Sequence, residues 1–284
     1  MSAAGIADRT WLITGCSTGI GREIAEMVLN SGERVAVTAR KLEAVEDLLE
    51  RFPEQTIGLA LDVTNRSQIT SAISATELAW GGIDVLVNNA GYGYMAALEE
   101  GEDEEVRALF DTNFFGVVDT VKAVLPGMRA RQRGHIINMS SMTGLLTNPP
   151  NIYYSCTKHA MEAMTEGLAK ELEPFGIAVT AIEPGAFRTD WATRSMKESG
   201  TPIQAYADTV GARKELIKMA GPMLPGDPRK IAQAVLMVAN LEKPPLHLLL
   251  GEDVLNAFRQ KLADWQANIE AFEEVTRDVN FQET

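Results

Sequence analysis

Cysteine and histidine are scarce in this 284-residue sequence, and each scarcity excludes a class of protein. Two cysteines, Cys16 and Cys156, cannot form a disulfide framework, which fits a reducing compartment, and each is expected to be a small buried residue. The three histidines, His135, His159 and His247, include no i, i+4 pair of the kind that binds a metal on a helix. The sequence therefore predicts no metal site.

Basic residues and long apolar runs are scarce as well. Lys and Arg number 26 against 39 Asp and Glu, and the resulting net charge of −13 repels nucleic acid. No stretch reaches the ~20 apolar residues of a membrane span, and residues 1–11 contain no apolar run of signal-peptide length. We therefore expect a cytoplasmic protein that binds neither nucleic acid nor membrane.

Short β-branched runs alternate with amphipathic segments of helical length, which is typical of a parallel sheet covered by helices. The pattern predicts an α/β fold, a single Rossmann-like, doubly wound, seven-stranded parallel sheet with helices on both faces. The predicted strands are Thr10–Thr14, Arg34–Thr38, Thr56–Leu61, Ile83–Val87, His135–Ser140, Ile177–Ile182 and Leu246–Leu250. The predicted helices are Ile20–Asn30, Leu42–Arg51, Ser67–Trp80, Glu104–Met128, Tyr153–Leu172, Arg229–Leu241 and Glu252–Arg277.

We expect residues 1–284 to form one domain, because no repeat or long linker divides them. Residues 187–228 break the alternation, show no strand pattern, and stand where an insertion covers a ligand as a lid. Residues 252–284 form a C-terminal helical extension, whose apolar stripe must pack on the body or on a partner subunit.

A glycine-rich segment, Thr14-Gly-Cys-Ser-Thr-Gly-Ile-Gly21, joins the first strand to the first helix. Glycines let the backbone approach a pyrophosphate, and a helix N-terminus offers N–H groups and partial positive charge. The segment predicts a dinucleotide site at Gly15, Ser17, Thr18, Gly19, Ile20 and Gly21, with a tight turn that binds nothing as the alternative.

The residue after the second strand favours NADP(H) and leaves NAD(H) as the alternative cofactor. An acidic residue there would bind both hydroxyls of an NAD ribose, but Arg40 and Lys41 stand in its place. Arg40 suits a 2′-phosphate, the alternative being a solvated charge. Asp62 and Val63 follow the third strand, near the adenine. Asn89, Ala90 and Gly91 follow the fourth, beside the adenosine or in a structural turn.

Tyr154 and Lys158 are four residues apart on a predicted helix, so their side chains share a face. A phenol with a pKa of about 10 is a poor acid or base at neutral pH, and a nearby ammonium lowers that pKa. Ser141 ends the fifth strand, from which its hydroxyl reaches the same carbonyl oxygen.

With Asn88–Gly91, Asn113 and Pro184-Gly185, these motifs resemble the short-chain dehydrogenase/reductase family over about residues 9 to 251. The resemblance implies that Tyr154 is the general acid/base, Ser141 polarises the substrate oxygen, and Lys158 tunes Tyr154 and holds the nicotinamide ribose. It also implies that Asn113 positions a water next to Lys158, and that Pro184, Gly185 and Thr189 border the nicotinamide. A helix bend at Asn113 and a plain turn at Pro184-Gly185 are the alternatives.

The expected reaction is hydride transfer between NADP(H) and an apolar ketone, aldehyde or alcohol. Reduction of a carrier-bound 3-oxoacyl thioester and a non-catalytic NADP-sensing regulator are the alternatives. We expect a homodimer through the helices beginning near Glu104 and Tyr153, with a tetramer as the alternative. The expected pocket is mostly apolar and has no arginine clamp; its candidate residues are Tyr92, Tyr94, Met95, Met142, Leu145, Leu146, Ile152, Phe187, Trp191, Met196, Tyr206 and Met223.

Overall fold

Seven parallel strands form the central sheet in a computed structural model that describes residues 9–189 and 194–281. The strands of this sheet are β1 (Thr10–Ile13), β2 (Arg34–Ala39), β3 (Thr56–Ala60), β4 (Val85–Asn88), β6 (Gly134–Met139), β7 (Ile177–Pro184) and β9 (His247–Leu250), and a separate pair consists of β5 (Gly93–Met95) and β8 (Met196–Glu198). The sheet order is β3-β2-β1-β4-β6-β7-β9. The predicted Rossmann-like sheet is therefore confirmed.

The helices surround this sheet. The α-helices are α1 (Gly19–Asn30), α2 (Glu46–Arg51), α3 (Arg66–Trp80), α4 (Asp103–Phe110), α5 (Gly116–Arg131), α6 (Met142–Leu145), α7 (Ile152–Leu172), α8 (Ala212–Ala220), α9 (Pro228–Ala239), α10 (Glu252–Ala271) and α11 (Glu273–Arg277). Short 3₁₀ turns occupy Leu42–Val45, Leu98–Glu100, Glu173–Phe175, Gln204–Tyr206 and Gly221–Met223, and π turns Asp111–Phe115 and Ala207–Gly211. None of these helices is long and apolar enough to cross a bilayer.

Both faces of the sheet are buried, because successive side chains of a strand point to opposite faces. On β1, Trp11 and Ile13 pack with α1 and α9, whereas Leu12 packs with α3, α5 and α7 on the other face. The sheet order reverses at β1, which pairs with β2 on one side and β4 on the other. Parallel sheets of this kind bind ligands in the crevice outside the carboxyl ends of such strands.

Three details differ from the sequence prediction. Residues 187–228 do contain a strand, β8, which pairs in parallel with the equally unpredicted β5. The helix expected over Glu104–Met128 is interrupted by the π turn Asp111–Phe115. The C-terminal helix, expected to be continuous to Arg277, is divided at Phe272, whose φ and ψ of −119° and 14° are not helical. Apolar periodicity does not detect such local changes of backbone pairing.

His135, buried in β6, gives the fold a pH dependence. Its Nε2 lies 2.9 Å from Thr180 Oγ1, and burial, with a smaller effect of Arg9, lowers its pKa from 6.5 to about 4. In the unfolded chain this histidine keeps its ordinary pKa of 6.5, so the unfolded state binds the proton first as the pH falls. The contribution of His135 to the free energy of unfolding is therefore present above pH 6.5 and is lost as the pH falls towards 4. We expect the free energy of unfolding in urea to fall between pH 7.5 and 4.5 by about 2 kcal/mol more than in His135→Gln. Equal losses in the two proteins would contradict this.

Candidate active site

The glycine-rich loop turns sharply between β1 and α1. Gly15 and Gly19 have φ values of 74° and 62°, which favour glycine, and α1 begins after Thr18 without a side-chain cap. A Cβ at Gly21 would lie 2.2 Å from Asn89 Nδ2 and 2.4 Å from the Gly15 oxygen. The loop therefore has to be glycine where the backbones meet.

Residues after β4 fix that loop by hydrogen bonds. Asn89 Nδ2 donates to the carbonyl oxygens of Thr14, at 2.9 Å, and Gly15, at 3.0 Å. The backbone N–H groups of Asn89 and Ala90 donate to Thr14 Oγ1 at 2.9 and 3.0 Å. The structure thus brings the predicted cofactor residues after β1 and β4 together, in the crevice where the sheet order reverses.

Arg194 is a candidate that sequence reasoning missed. Its guanidinium donates to the Thr18 hydroxyl, across 176 residues of chain, and so places a cation at the start of α1. An arginine in the predicted lid was the only sequence signal, and neither its spacing nor its neighbours point to the loop.

The residues expected at the adenosine half follow two adjacent strands. Arg40 follows β2 and is exposed, and Asp62 follows the end of β3, where the Leu61 N–H donates to the Ala39 oxygen at 2.9 Å. One oxygen of Asp62, Oδ1, accepts from the N–H and hydroxyl of Thr64 at 2.9 and 2.7 Å. Asp62 therefore also shapes its own turn.

The turn after β7 is braced by a second residue that sequence reasoning missed. Asp253, in the first turn of α10, accepts from the Ala186 N–H at 2.7 Å, and a Cβ at Gly185 would lie 2.2 Å from Asp253 Oδ1. Gly185 itself donates to the Leu250 oxygen at 2.9 Å. Thr189 follows in the same loop, at the edge of the described residues.

Three of the four predicted catalytic side chains, those of Ser141, Tyr154 and Lys158, lie close together near the turn that follows β6. Ser141 caps α6 and makes a hydrogen bond with the Tyr154 side chain. Lys158 Nζ lies 5.7 Å from the centre of the Tyr154 ring and donates to the Met139 oxygen at 2.7 Å. Tyr154 and Lys158 are 6% and 5% exposed, so the pair is almost removed from water.

Burial, rather than the ammonium, dominates the electrostatics of this pair. It raises the pKa of Tyr154 above 10, against the lowering effect of the bond with Ser141. It also lowers the pKa of Lys158 to about 8, while Glu162 acts in the opposite direction. The expected lowering of the phenol pKa by Lys158 is therefore wrong for the protein alone, because desolvation disfavours both charged forms.

Asn113 lies in the π turn between α4 and α5 and is fully buried. Its Oδ1 accepts from the Tyr92 N–H at 3.0 Å, and its Nδ2 donates to the Tyr92 oxygen at 2.8 Å and to Thr157 Oγ1 at 3.3 Å. The side chain thus ties the segment after β4 to α7, which carries Tyr154 and Lys158.

A buried carboxylate pair lies behind Lys158, and sequence spacing did not predict it. The Ser140 hydroxyl donates to Glu162, and Glu183 Oε1 lies 2.7 Å from His247 Nδ1. Potential metal-ligand atoms of Glu162, Glu183 and His247 all lie within 4.8 Å of one another. Burial and the charge of Glu162 raise the pKa of Glu183 to about 7. The raised pKa values of Glu162 and Glu183 favour a proton on one of these two neighbouring carboxyl groups.

The candidate pocket residues divide into three groups. Several are partly exposed near the site: Tyr92, Met142, Leu145, Leu146, Ile152, Phe187, Met196 and Tyr206. Tyr94 and Met95 are buried to 1% exposure, and Tyr94 donates to Glu102 at 2.6 Å, so these two form packing under the lid. Met223 is 73% exposed, and Trp191 lies outside the described residues.

Residues 187–228 are attached to the body through a buried ion pair. Lys214 Nζ lies 3.2 Å from Glu100 Oε2, and both residues are buried. Glu100 Oε1 also accepts from the Ile203 N–H at 2.9 Å, and the Ser199 hydroxyl donates to the Glu100 backbone oxygen at 2.6 Å. Glu100, through its carboxylate and its backbone oxygen, therefore anchors Ser199, Ile203 and Lys214 of this segment to the body.

Comparison with known proteins gives one consistent result. Residues 9–200 match the family described as short chain dehydrogenase. The chain is 40% identical to "Oxidoreductase BOA17" of Botryotinia fuckeliana, over 87% of this chain and 90% of that protein. It is 37% identical to a "3-ketodihydrosphingosine reductase" of Bacteroides thetaiotaomicron, over 84% of this chain and 87% of that protein.

Solved structures agree. A short-chain dehydrogenase from Streptomyces avermitilis is 39% identical and covers 96% of this chain and 100% of its own, with a TM-score of 0.91. The closed form of a serine dehydrogenase complexed with NADP⁺ is 27% identical over 85% of this chain and 94% of its own, with a TM-score of 0.73.

The ion pair between Glu100 and Lys214 predicts that residues 187–228 become more accessible to proteases when the cation is removed. Lys214→Met leaves a buried carboxylate without its cation, which costs about 3 kcal/mol, so we expect faster limited proteolysis within residues 187–228. The double variant Glu100→Gln, Lys214→Met should recover much of the resistance. Lys218→Met is the matched control, since its ion pairs on the same helix are exposed. Proteolysis of Lys214→Met at the rate of the unaltered protein would contradict the prediction.

Proposed function

Because the chain belongs to the short-chain dehydrogenase/reductase family, we propose that it interconverts an apolar ketone or aldehyde and the corresponding alcohol with NADP(H). It is an oxidoreductase acting on CH–OH groups, and the family uses a nicotinamide cofactor. The observation that carries the proposal is the meeting of Ser141, Tyr154 and Lys158 in one cluster in which Tyr154 and Lys158 are buried.

The loop fits a dinucleotide. Gly21 leaves no room for a Cβ, Gly15 has a φ of 74° that favours glycine, and α1 begins there without a side-chain cap. Arg194 adds a cation beside Thr18 for a phosphate group. The nicotinamide supplies or accepts the hydride when it is bound.

The chain's own residues hold and move the proton. In reduction, the Tyr154 hydroxyl gives its proton to the carbonyl oxygen of the substrate, which the Ser141 hydroxyl orients by a hydrogen bond. Burial keeps the phenol protonated before the reaction. Lys158, held by the Met139 oxygen, then stabilises the phenolate that forms, and Asn113 connects this helix to the Tyr92 segment.

NADP(H) is favoured by positive charge at the adenosine half. Arg40 is exposed at the end of β2, where its fork of donors suits a 2′-phosphate, and Lys41 follows it. Asp62, Val63, Ala90 and Gly91 would border the adenosine, and Pro184, Gly185 and Thr189 the nicotinamide.

An apolar substrate is favoured by the side chains next to the catalytic cluster. Met142, Leu145, Leu146 and Ile152 follow Ser141 or precede Tyr154 and are partly exposed. A relative at 37% identity is named as a reductase of 3-ketodihydrosphingosine, whose ketone stands on a long apolar chain.

The proposed homodimer involves the surface around α4 and α5. A cavity there is lined by Asp103, Val106, Arg107, Phe110, Asp111 and Phe115, and the Phe115 side chain is 52% exposed. An exposed aromatic residue on a two-helix face suits contact with a second copy of the chain.

Tyr154→Phe tests the catalytic assignment. The substitution removes the proton donor and keeps the ring, so we expect kcat to fall about 10²- to 10⁴-fold while NADPH binding, followed by its fluorescence, is retained. Tyr153→Phe is the matched control, because that neighbouring hydroxyl donates to the Leu98 oxygen outside the site. Undiminished turnover in Tyr154→Phe would refute the mechanism. NADPH binding without reduction of any of a broad panel of ketones would instead favour the sensing regulator.

Arg40→Asp tests the cofactor preference. A carboxylate repels the 2′-phosphate and accepts bonds from ribose hydroxyls, so the ratio of kcat/KM for NADPH to that for NADH should fall about 10- to 100-fold. Arg194→Ala is the control, since loss of a guanidinium beside the pyrophosphate, which both cofactors share, should weaken the binding of both equally. An unchanged ratio in Arg40→Asp would remove Arg40 from its role.

A further inference from the structure

Helix α10 leaves the body of the protein after three turns. Val254 is fully buried and Phe258 and Lys261 are partly buried, so the beginning of the helix is anchored. From Leu262 to the end of α10, every residue is exposed. An isolated helix of this length is marginal in water, so the second half of α10 needs a partner.

The exposed half carries a regular apolar stripe. Its side chains are spaced alternately three and four residues apart, which is the a/d pattern of a coiled coil. The stripe consists of Leu255, Phe258, Leu262, Trp265, Ile269 and Phe272. Trp265, Ile269 and Phe272 are 61%, 56% and 62% exposed. Six large apolar side chains at this spacing, all of them exposed except the partly buried Phe258, constitute a docking surface.

The charges on this helix specify the direction of its partner. Within the stripe, the charged residues between Leu255 and Ala263 are Arg259 and Lys261, both basic, whereas the four charged residues between Asp264 and Glu274 are acidic; Glu252 and Asp253, which precede the stripe, are acidic as well. Two copies side by side in parallel would place like charges together. In the antiparallel direction, the basic half of each helix lies beside the acidic half of the other.

We propose that α10 pairs with α10 of a second copy of this chain as a short antiparallel coiled coil. Matching the two stripes end to end places Leu262 beside the second copy's Trp265, and Leu255 beside its Phe272. This contact is separate from the α4 and α5 surface, so both can exist in one assembly. The acidic half also disfavours an anionic membrane as the occupant, because helices that lie on lipid are rich in Lys and Arg.

The mass of the full-length protein in solution, measured by light scattering, tests the pairing. Trp265→Glu, Ile269→Glu should halve the mass of the assembly, because four charges would face one another across the paired helices. The matched control is Leu78→Glu on α3, where the replaced side chain is 90% exposed but belongs to no stripe. A monomeric parent protein, or an unchanged mass in the double variant, would overturn the proposal.

Disulfide cross-linking tests the direction and does not depend on a destabilised variant. In a Cys156→Ser background, mild oxidation of a mixture of Leu255→Cys and Phe272→Cys chains should give a covalent heterodimer. Leu255→Cys alone should give at least about tenfold less dimer, since the ends of antiparallel stripes lie some 25 Å apart at 1.5 Å per residue. Cross-linking of Leu255→Cys to itself and not to Phe272→Cys would overturn the antiparallel arrangement.

One further result would also overturn the proposal, and separate readouts distinguish that result from failure of the catalytic assignment. A monomer that binds phosphatidylserine-containing vesicles through α10 would show that lipid, not a second copy, covers the stripe. Turnover in Trp265→Glu, Ile269→Glu is a readout separate from the mass. The substituted side chains are not Ser141, Tyr154 or Lys158, so any change in rate would act through Lys261, which lies 5.4 Å from the Trp265 ring and donates to the Leu145 oxygen. Tyr154→Phe should lose turnover and keep the mass of the unaltered assembly.

Discussion

The close approach of the Gly21 backbone to the Asn89 side chain and to the Gly15 carbonyl oxygen is the constraint on which the site depends. A single Cβ at Gly21 would overlap the Asn89 amide and the Gly15 oxygen. That contact joins the first turn of α1 to the ends of β1 and β4, which are neighbours where the sheet order reverses. The same Asn89 amide closes the loop through its bonds to Thr14 and Gly15. The proposed cofactor site is thus a consequence of how two strands and one helix pack.

Burial gives the neighbouring catalytic cluster its chemical character. Tyr154 and Lys158 are both nearly removed from water, so burial raises the pKa of the phenol and lowers the pKa of the amine to about 8, which leaves Lys158 mostly protonated at neutral pH. Lys158 is held by the Met139 oxygen, one strand away, and faces the charge of Glu162 from behind. The sequence suggested the Lys158 ammonium as the cause of an acidic phenol, but desolvation has the larger effect on the phenol pKa. New positive charge beside the pair would lower the pKa of both groups.

The sequence predicted those features that depend on neighbours along the chain. Alternating strands and helices, the glycine loop and the Tyr154 to Lys158 spacing are local patterns, and the sheet they predict is confirmed. The pairing of β8 with β5, the contact of Arg194 with Thr18 and the cluster of Glu162, Glu183 and His247 join residues 21 to 176 positions apart. Such contacts leave no periodic signal, because they are selected by the packed fold. The π turn at Asn113 is local, but its side chains continue a helical pattern and conceal the change in backbone hydrogen bonding.

The C-terminal helix belongs to the site as much as to the surface. Asp253 at its start braces the Gly185 turn, and Lys261 donates to the Leu145 oxygen beside α6 while lying 5.4 Å from the Trp265 ring. One rigid helix therefore touches two borders of the proposed cleft, the turn after β7 and the segment that follows Ser141. The side chain that contacts Leu145 stands next to Leu262, a residue of the apolar stripe that is 53% exposed. A partner helix on that stripe would restrict the motion of Lys261 and, through it, of the cleft wall formed by Leu145.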